Sequence, residues 1–152
     1  MQKNTIQLTQ AGYDEIQKEY DELVAKRPEV VKELDHMRSL GDLKENNAYD
    51  QLKAELGFLE GRIKELEEIL KVAVVIDTPT GDKIKLGSKV ALHIEGDRVN
   101  YQLVDETEAD ITSGKISSSS PIGAALLGRK IGDEVQVESP SGTISYQILE
   151  IE

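Results

Sequence analysis

Two carboxylates three residues apart, Asp42 and Glu45, stand in the segment Gly41-Asp42-Leu43-Lys44-Glu45-Asn46-Asn47-Ala48-Tyr49. At a helix start this spacing puts both acids on one side of the first turn. Together they can address one divalent cation. Magnesium typically takes one or two protein carboxylates and keeps its other positions for water and phosphate oxygens. Two acids alone hold such an ion weakly, so a partner has to supply the rest. Asp-x-x-Glu is also the spacing of a capping box, which satisfies free amides and favours the positive end of the helix dipole. The two roles are compatible, because a carboxylate that caps with one oxygen keeps other lone pairs.

The elements that must carry this acidic turn are two long helices. Tyr13, Ile16, Tyr20, Leu23, Arg27, Val30, Leu34 and Met37 recur at alternating threes and fours. So do Tyr49, Leu52, Leu56, Leu59, Ile63, Leu66, Leu70 and Ala73. Both series are coiled-coil seams. Leu40-Gly41-Asp42 between them is a helix stop followed by a helix start, and so short a link makes the helices antiparallel. Folding the chain about Leu43 sets Met37 against Tyr49, Leu34 against Leu52 and Val30 against Leu56. The same register runs on to Tyr13 against Ala73. Each arm is then ~45 Å long at about 1.5 Å per residue. Arg27 is polar within the seam, Pro28 is expected to bend the first helix, and Gly57 and Gly61 weaken the second at a similar height.

From about Val72 the pattern changes to short Val/Ile-rich runs separated by Gly, Ser, Pro and Asp. Val72–Asp77, Lys89–Ile94, Arg98–Val104, Asp133–Glu138 and Thr143–Ile151 are the expected strands. Glu95-Gly96-Asp97 and Ser139-Pro140-Ser141-Gly142 are the expected hairpin turns. Ser120 as N-cap and Pro121 at the first position begin one short helix. The sequence thus divides into a hairpin, residues 1–75, and a small α+β domain, residues 76–152.

Composition limits the functions such a chain can have. It has 152 residues and a net charge of −11, which opposes a direct grip on nucleic-acid phosphates or on an anionic membrane. It has no Cys and only His36 and His93, which excludes thiol catalysis, Cys-zinc sites and His-rich metal sites. With no second ligand beside it, His36 is expected at the surface. No apolar run approaches the ~18 residues of a membrane span, and the N-terminus shows no secretory signal. The expectation is a soluble, cytoplasmic protein without strong binding to free nucleic acid.

Gly41-Asp42-Leu43-Lys44-Glu45-Asn46, then Ala48-Tyr49 and Gly57-Phe58-x-Glu60-Gly61-Arg62-Ile63, resemble the tip and descending arm of bacterial transcript cleavage factors of the Gre type. Leu8-Thr9-x-x-Gly12-Tyr13 and Arg27-Pro28-Glu29 resemble parts of their first helix. Ser120-Pro121-Ile122, Ala125-Leu126-Leu127-Gly128, Gly132-Asp133-x-Val135 and Pro140-x-Gly142 resemble their C-terminal domain. The match is collinear over nearly the whole chain. It implies a coiled-coil hairpin plus an FKBP-like domain that docks at the rim of the secondary channel of RNA polymerase. The hairpin would enter that channel, where Asp42 and Glu45 help the polymerase hold a second Mg2+ and orient a water. The polymerase then cuts the RNA 3′ end of a backtracked complex, and the factor alone is not an enzyme. The resemblance also implies RNA-proximal basic residues, Arg38 and Lys53 with Lys32 and Lys44 nearby, and polymerase contacts at Ser119, Ser120 and Pro121. Acids interleave with these bases, so the surface equally fits a solvated mixed face. The thin basic charge resembles the A-type factors more than the B-type.

Three alternatives compete with this expectation. A Gre-like protein can occupy the same channel without stimulating cleavage. An FKBP-like domain can be a folding helper, although the C-terminal half offers no Trp or Phe and only Tyr101 and Tyr146. Asp42 and Glu45 can be a helix cap and nothing more.

Overall fold

The computed structural model describes residues 5–41, 47–77, 79 and 81–152. Contacts within the chain group the described residues into two units: Tyr13–Ala73 with Thr5, and Val74–Glu152 with Ile6–Gly12.

The first unit is built on α1 (Gln10–Ser39) and α2 (Asn47–Val72), of 30 and 26 residues. The seam residues form its core. Val30, Leu34, Tyr49 and Leu59 are buried, and Leu23, Met37, Leu52, Leu56 and Ile63 pack against them. Ile16 and Leu66 are buried as well. Pairs between the helices preserve the expected register. Stepping one heptad along α1, from Glu19 to Lys26, moves the ion-pair partner one heptad back along α2, from Arg62 to Glu55. Stepping from Arg27 to Arg38 likewise moves the partner from Glu60 back to Tyr49 by an equal count. A slip anywhere would break one of these rows.

Arg27 stays out of the seam. Its Nε and one terminal nitrogen donate to Glu60 Oε1 at 3.1 and 3.0 Å. Pro28, where a bend was expected, lies inside α1, which continues as one helix on both sides. The helix stop sits where the sequence places it: Leu40 and Gly41 amides donate to Met37 and Arg38 carbonyls, and Gly41 turns to φ 74°.

The second unit is a five-stranded mixed sheet with one short helix, which bears out the α+β class. Its strands are β3 (Lys89–Ile94), β4 (Asp97–Val104), β5 (Lys115–Ser117), β6 (Glu134–Ser139) and β7 (Gly142–Ile151), in the order β5-β4-β3-β7-β6. All neighbours are antiparallel except β4 and β5. The β3–β4 turn has two residues, Glu95 and Gly96, both at positive φ. Such a turn matches the twist of the strands it joins. Ile84, Val90, Leu92, Leu103, Ile116, Leu126, Val135 and Ile148 form the core. Leu126 comes from α3 (Pro121–Leu126).

Three boundaries depart from the expectations. Val72–Asp77 is helical at Val72, and only Ala73–Val75 is strand (β2). It forms a two-stranded sheet with β1 (Ile6–Leu8), which the sequence did not announce. The third is β5, preceded by a single 3-10 turn at Ile111–Ser113. Ile6–Gly12 belongs with the sheet because buried Glu108 holds it. Glu108 accepts the Thr9 amide at 2.9 Å and the Thr9 hydroxyl at 2.6 Å, and Lys115 Nζ lies 3.9 Å away.

Candidate functional site

Asp42 and Glu45, the expected cap and metal-binding residues, and Lys44 between them lie outside the described residues. The residues that flank them are described. Arg38, at the last turn of α1, donates from Nε to the Tyr49 hydroxyl at 2.9 Å. Its Cζ lies 5.9 Å from the Tyr49 ring centroid, and Asp35 Oδ1 lies 3.6 Å from its NH1. Tyr49 stands in the first turn of α2 with its ring in the seam. The pair therefore ties the distal ends of the two helices. The hydrogen bond to Tyr49 is also the main cause that holds the guanidinium above its ordinary value, so Arg38 is charged at any physiological pH. Arg38 remains exposed on its outer side. Lys32, Lys53 and His36 are exposed too, as expected for surface groups. Nothing in the sequence spacing announced that the seam tyrosine would engage Arg38.

The second candidate surface is the loop that leads into α3. Ser117 organises it. Its hydroxyl bonds the Ser119 hydroxyl at 2.7 Å and accepts the Ser119 amide at 3.1 Å. Its carbonyl accepts the Ser120 hydroxyl at 2.6 Å. Ser120 then caps α3 by accepting the Gly123 amide at 3.1 Å, with Pro121 at the first helical position. Ser119 and Pro121 are exposed. Gly123 is the close-packing point: a Cβ there would collide with the Ser117 carbonyl. The polar bonds are thus satisfied within the loop, and the outer faces of Ser119 and Pro121 are presented on a rigid base. Ser117 has no motif of its own, and its role comes only from the fold.

Among the described residues no group of three or more His, Cys, Asp or Glu is gathered to hold a metal. No helix of the structure is long and apolar enough to cross a membrane, among the described residues.

The chain thus combines an antiparallel helical hairpin with an α+β unit that carries a hydrogen-bonded serine–proline loop, the parts of a two-domain binding factor. Residues 6–75 match the family described as "Transcription elongation factor, N-terminal", and residues 78–152 match "Transcription elongation factor, GreA/GreB, C-term". The chain is 40% identical to the transcription elongation factor GreA of Thermomicrobium roseum, over 100% of both chains. It is 44% identical to that of Trichlorobacter lovleyi, over 97% of each. Among solved structures, Gfh1 of Thermus thermophilus matches at 33% identity over 98% of this chain and 99% of that one, with a TM-score of 0.47. The chain belongs to the GreA/GreB family of transcription elongation factors.

Proposed function

We propose that this protein binds RNA polymerase and stimulates cleavage of the RNA 3′ end in backtracked complexes. The observation that carries the reading is the full-length relation, at 40% and 44% identity, to factors named GreA. In this reading the second unit docks through Ser119, Ser120 and Pro121, and the hairpin brings its turn to the polymerase active site. Arg38 and Lys53 face the RNA. Arg38 meets RNA phosphate with its outer edge while Tyr49 fixes its inner one. Asp42 and Glu45 are the two hairpin-turn acids.

The implied cofactor is Mg2+, held jointly with the polymerase. Two hard carboxylate donors suit this ion and leave its other positions to partner, water and phosphate. When bound, it supplies charge neutralisation at the hydrolysed phosphodiester. The chain's own share is to deliver Asp42 and Glu45 and to orient a water; the catalytic centre belongs to the polymerase. Activity inside a polymerase also fits the −11 charge, since the partner holds the strand.

The test is an arrested elongation complex supplied with magnesium and this protein. Shortening of the transcript from its 3′ end, absent without the protein, is the expected result. Binding to the complex with transcripts left at full length would overturn the cleavage reading and leave a channel-occupying, non-cleaving factor.

A further inference from the structure

Lys83 and Lys130 form an isolated antiparallel bridge outside the strands of the main sheet. The Ile84 amide donates to the Arg129 carbonyl at 2.9 Å, and the Gly128 amide to the Ile84 carbonyl at 2.8 Å. Ile84 is buried in the core, so strand alternation turns Lys83 and Lys85 to the opposite, outer side. Lys83, Lys85, Arg129 and Lys130 are all exposed. This short ribbon therefore collects four of the seven basic residues that follow Lys71, in a region that carries thirteen acids.

Like charges directly opposite one another on paired strands are destabilising. Among the described residues no carboxylate lies within ion-pair distance of Lys83, Lys85 or Lys130. The nearest acid in sequence to Lys130, Asp133, uses Oδ2 to accept the Lys130 amide at 2.9 Å. Asp82 precedes Lys83 and is exposed. The fold thus concentrates positive charge at one place in an acidic chain and leaves it without a neutralising partner among the described residues. Leu127 and Ile131, 50% and 57% exposed, lie on either side of Arg129 and Lys130. Exposed apolar residues beside unpaired cations suit an acidic protein surface better than nucleic acid, whose backbone offers phosphate and no apolar anchor.

We infer that the Lys83–Lys85–Lys130 ridge, with Leu127 and Ile131, is a second docking patch for an acidic protein surface of RNA polymerase. The inference rests on the reading that the second unit docks on the polymerase. α3 links the two patches: Ser120 caps its start, and Leu127 and Gly128 lead from its end into the ridge. Six helical residues span ~9 Å at about 1.5 Å each, so one partner surface can cover both. The serine–proline loop offers shape and hydrogen bonds. The ridge offers charge steering, which acts mainly on association rate and is weakened by salt.

The experiment measures binding of the full chain to core RNA polymerase over a salt series, for wild type and for Lys83→Glu, with Lys83→Glu/Lys130→Glu as the stronger variant. Lys83→Glu places opposite charges across the bridge, so its thermal stability is expected to equal or exceed wild type. Its affinity is expected to fall several-fold, and that of the double variant about tenfold or more, with a shallower salt dependence. Lysines at a strand edge also ward off pairing with other chains; if that is their only role, affinity and salt slope stay at wild-type values and the inference fails. Wild-type binding to free RNA or duplex DNA that the double variant loses would make the ridge a nucleic-acid surface and equally overturn it. No wild-type binding to the polymerase at all would instead overturn the docking reading itself.

Discussion

Glu19 and Arg62 meet across the hairpin in a two-bonded pair: Arg62 Nε to Glu19 Oε1 at 2.8 Å and Arg62 NH2 to Glu19 Oε2 at 3.0 Å. A second acid, Glu65, lies 3.2 Å from Arg62 NH1 on the same helix. The hydrogen bond from Arg62 is the largest cause that pulls the Glu19 carboxyl below its free value of 4.5; partial burial opposes it and the Arg62 charge adds to it. A carboxyl depressed in the folded state contributes stability that is complete above its unfolded value and is lost as pH falls through the folded one. Both side chains are 41% exposed, so solvent screens the pair and its worth is roughly 0.5–1 kcal/mol. Glu19→Gln is expected to lower stability by about that much at pH 7. The difference from wild type should shrink as pH drops below 4.5. Urea unfolding at both ends of that range measures it; a difference that persists at low pH would assign the effect to packing.

The same Gly→Ala substitution should have opposite signs at two helical positions. A Cβ on Gly57 meets open space, so alanine gains helix propensity and is expected to stabilise by about 0.5–1 kcal/mol. A Cβ on Gly12 would run into the Glu108 side chain, which is buried and committed to Thr9. There the overpacking cost of about 1–3 kcal/mol outweighs the propensity gain. Thermal unfolding of the two variants checks the contrast. Equal shifts of the same sign would mean that Glu108 moves aside without loss.

Much of this architecture is legible from residue pattern, and the exceptions have a common cause. The hairpin register follows from a seam repeating every three or four residues, and Glu19–Arg62 and Arg27–Glu60 sit where that register puts them. β3, β4, β6 and β7 announce themselves by Val/Ile runs bounded by turns. β1 and β5 have three residues each, too few to show a period, and exist only through their pairing with distant strands. Arg38–Tyr49, the Ser117 hub and the lysine ridge are equally invisible, because each joins residues whose partnership is created by the fold. Asp42 and Glu45 read in the sequence as acids at a helix start, and they lie outside the described residues.

Tyr49→Phe isolates the tie at the distal end of the hairpin. The ring keeps its place in the seam beside Val30, Leu34 and Leu59, while the hydroxyl that accepts from Arg38 is removed. A hydrogen bond to a charged donor is stronger than one between neutral groups. The expected result is a lower midpoint of thermal unfolding, together with lower cleavage stimulation at subsaturating concentrations, because Arg38 is no longer held. Restoring full stimulation at high factor concentration would place the effect in binding. Stimulation unchanged at every concentration would show that the tie matters only for stability.

Asp42→Asn separates the chemistry of the hairpin turn from its architecture. Asparagine caps helices about as well as aspartate, so a residue that serves only as a cap tolerates the change. A residue that carries negative charge to a shared Mg2+ does not, because the amide oxygen is a weaker ligand and brings no charge. The variant is therefore expected to keep its thermal stability and its affinity for the polymerase while RNA cleavage falls by a factor of ten or more, on the order of 1.4 kcal/mol in the barrier. Glu45→Gln should behave alike. Its amide can still bond the free amide at the start of the turn, but it lacks the charge that supports a metal or an attacking water. Raising the magnesium concentration should partly rescue both variants if the lost function is metal affinity. Cleavage at the wild-type rate in both would reduce Asp42 and Glu45 to helix caps, and the functional acids would have to be sought elsewhere on the arm.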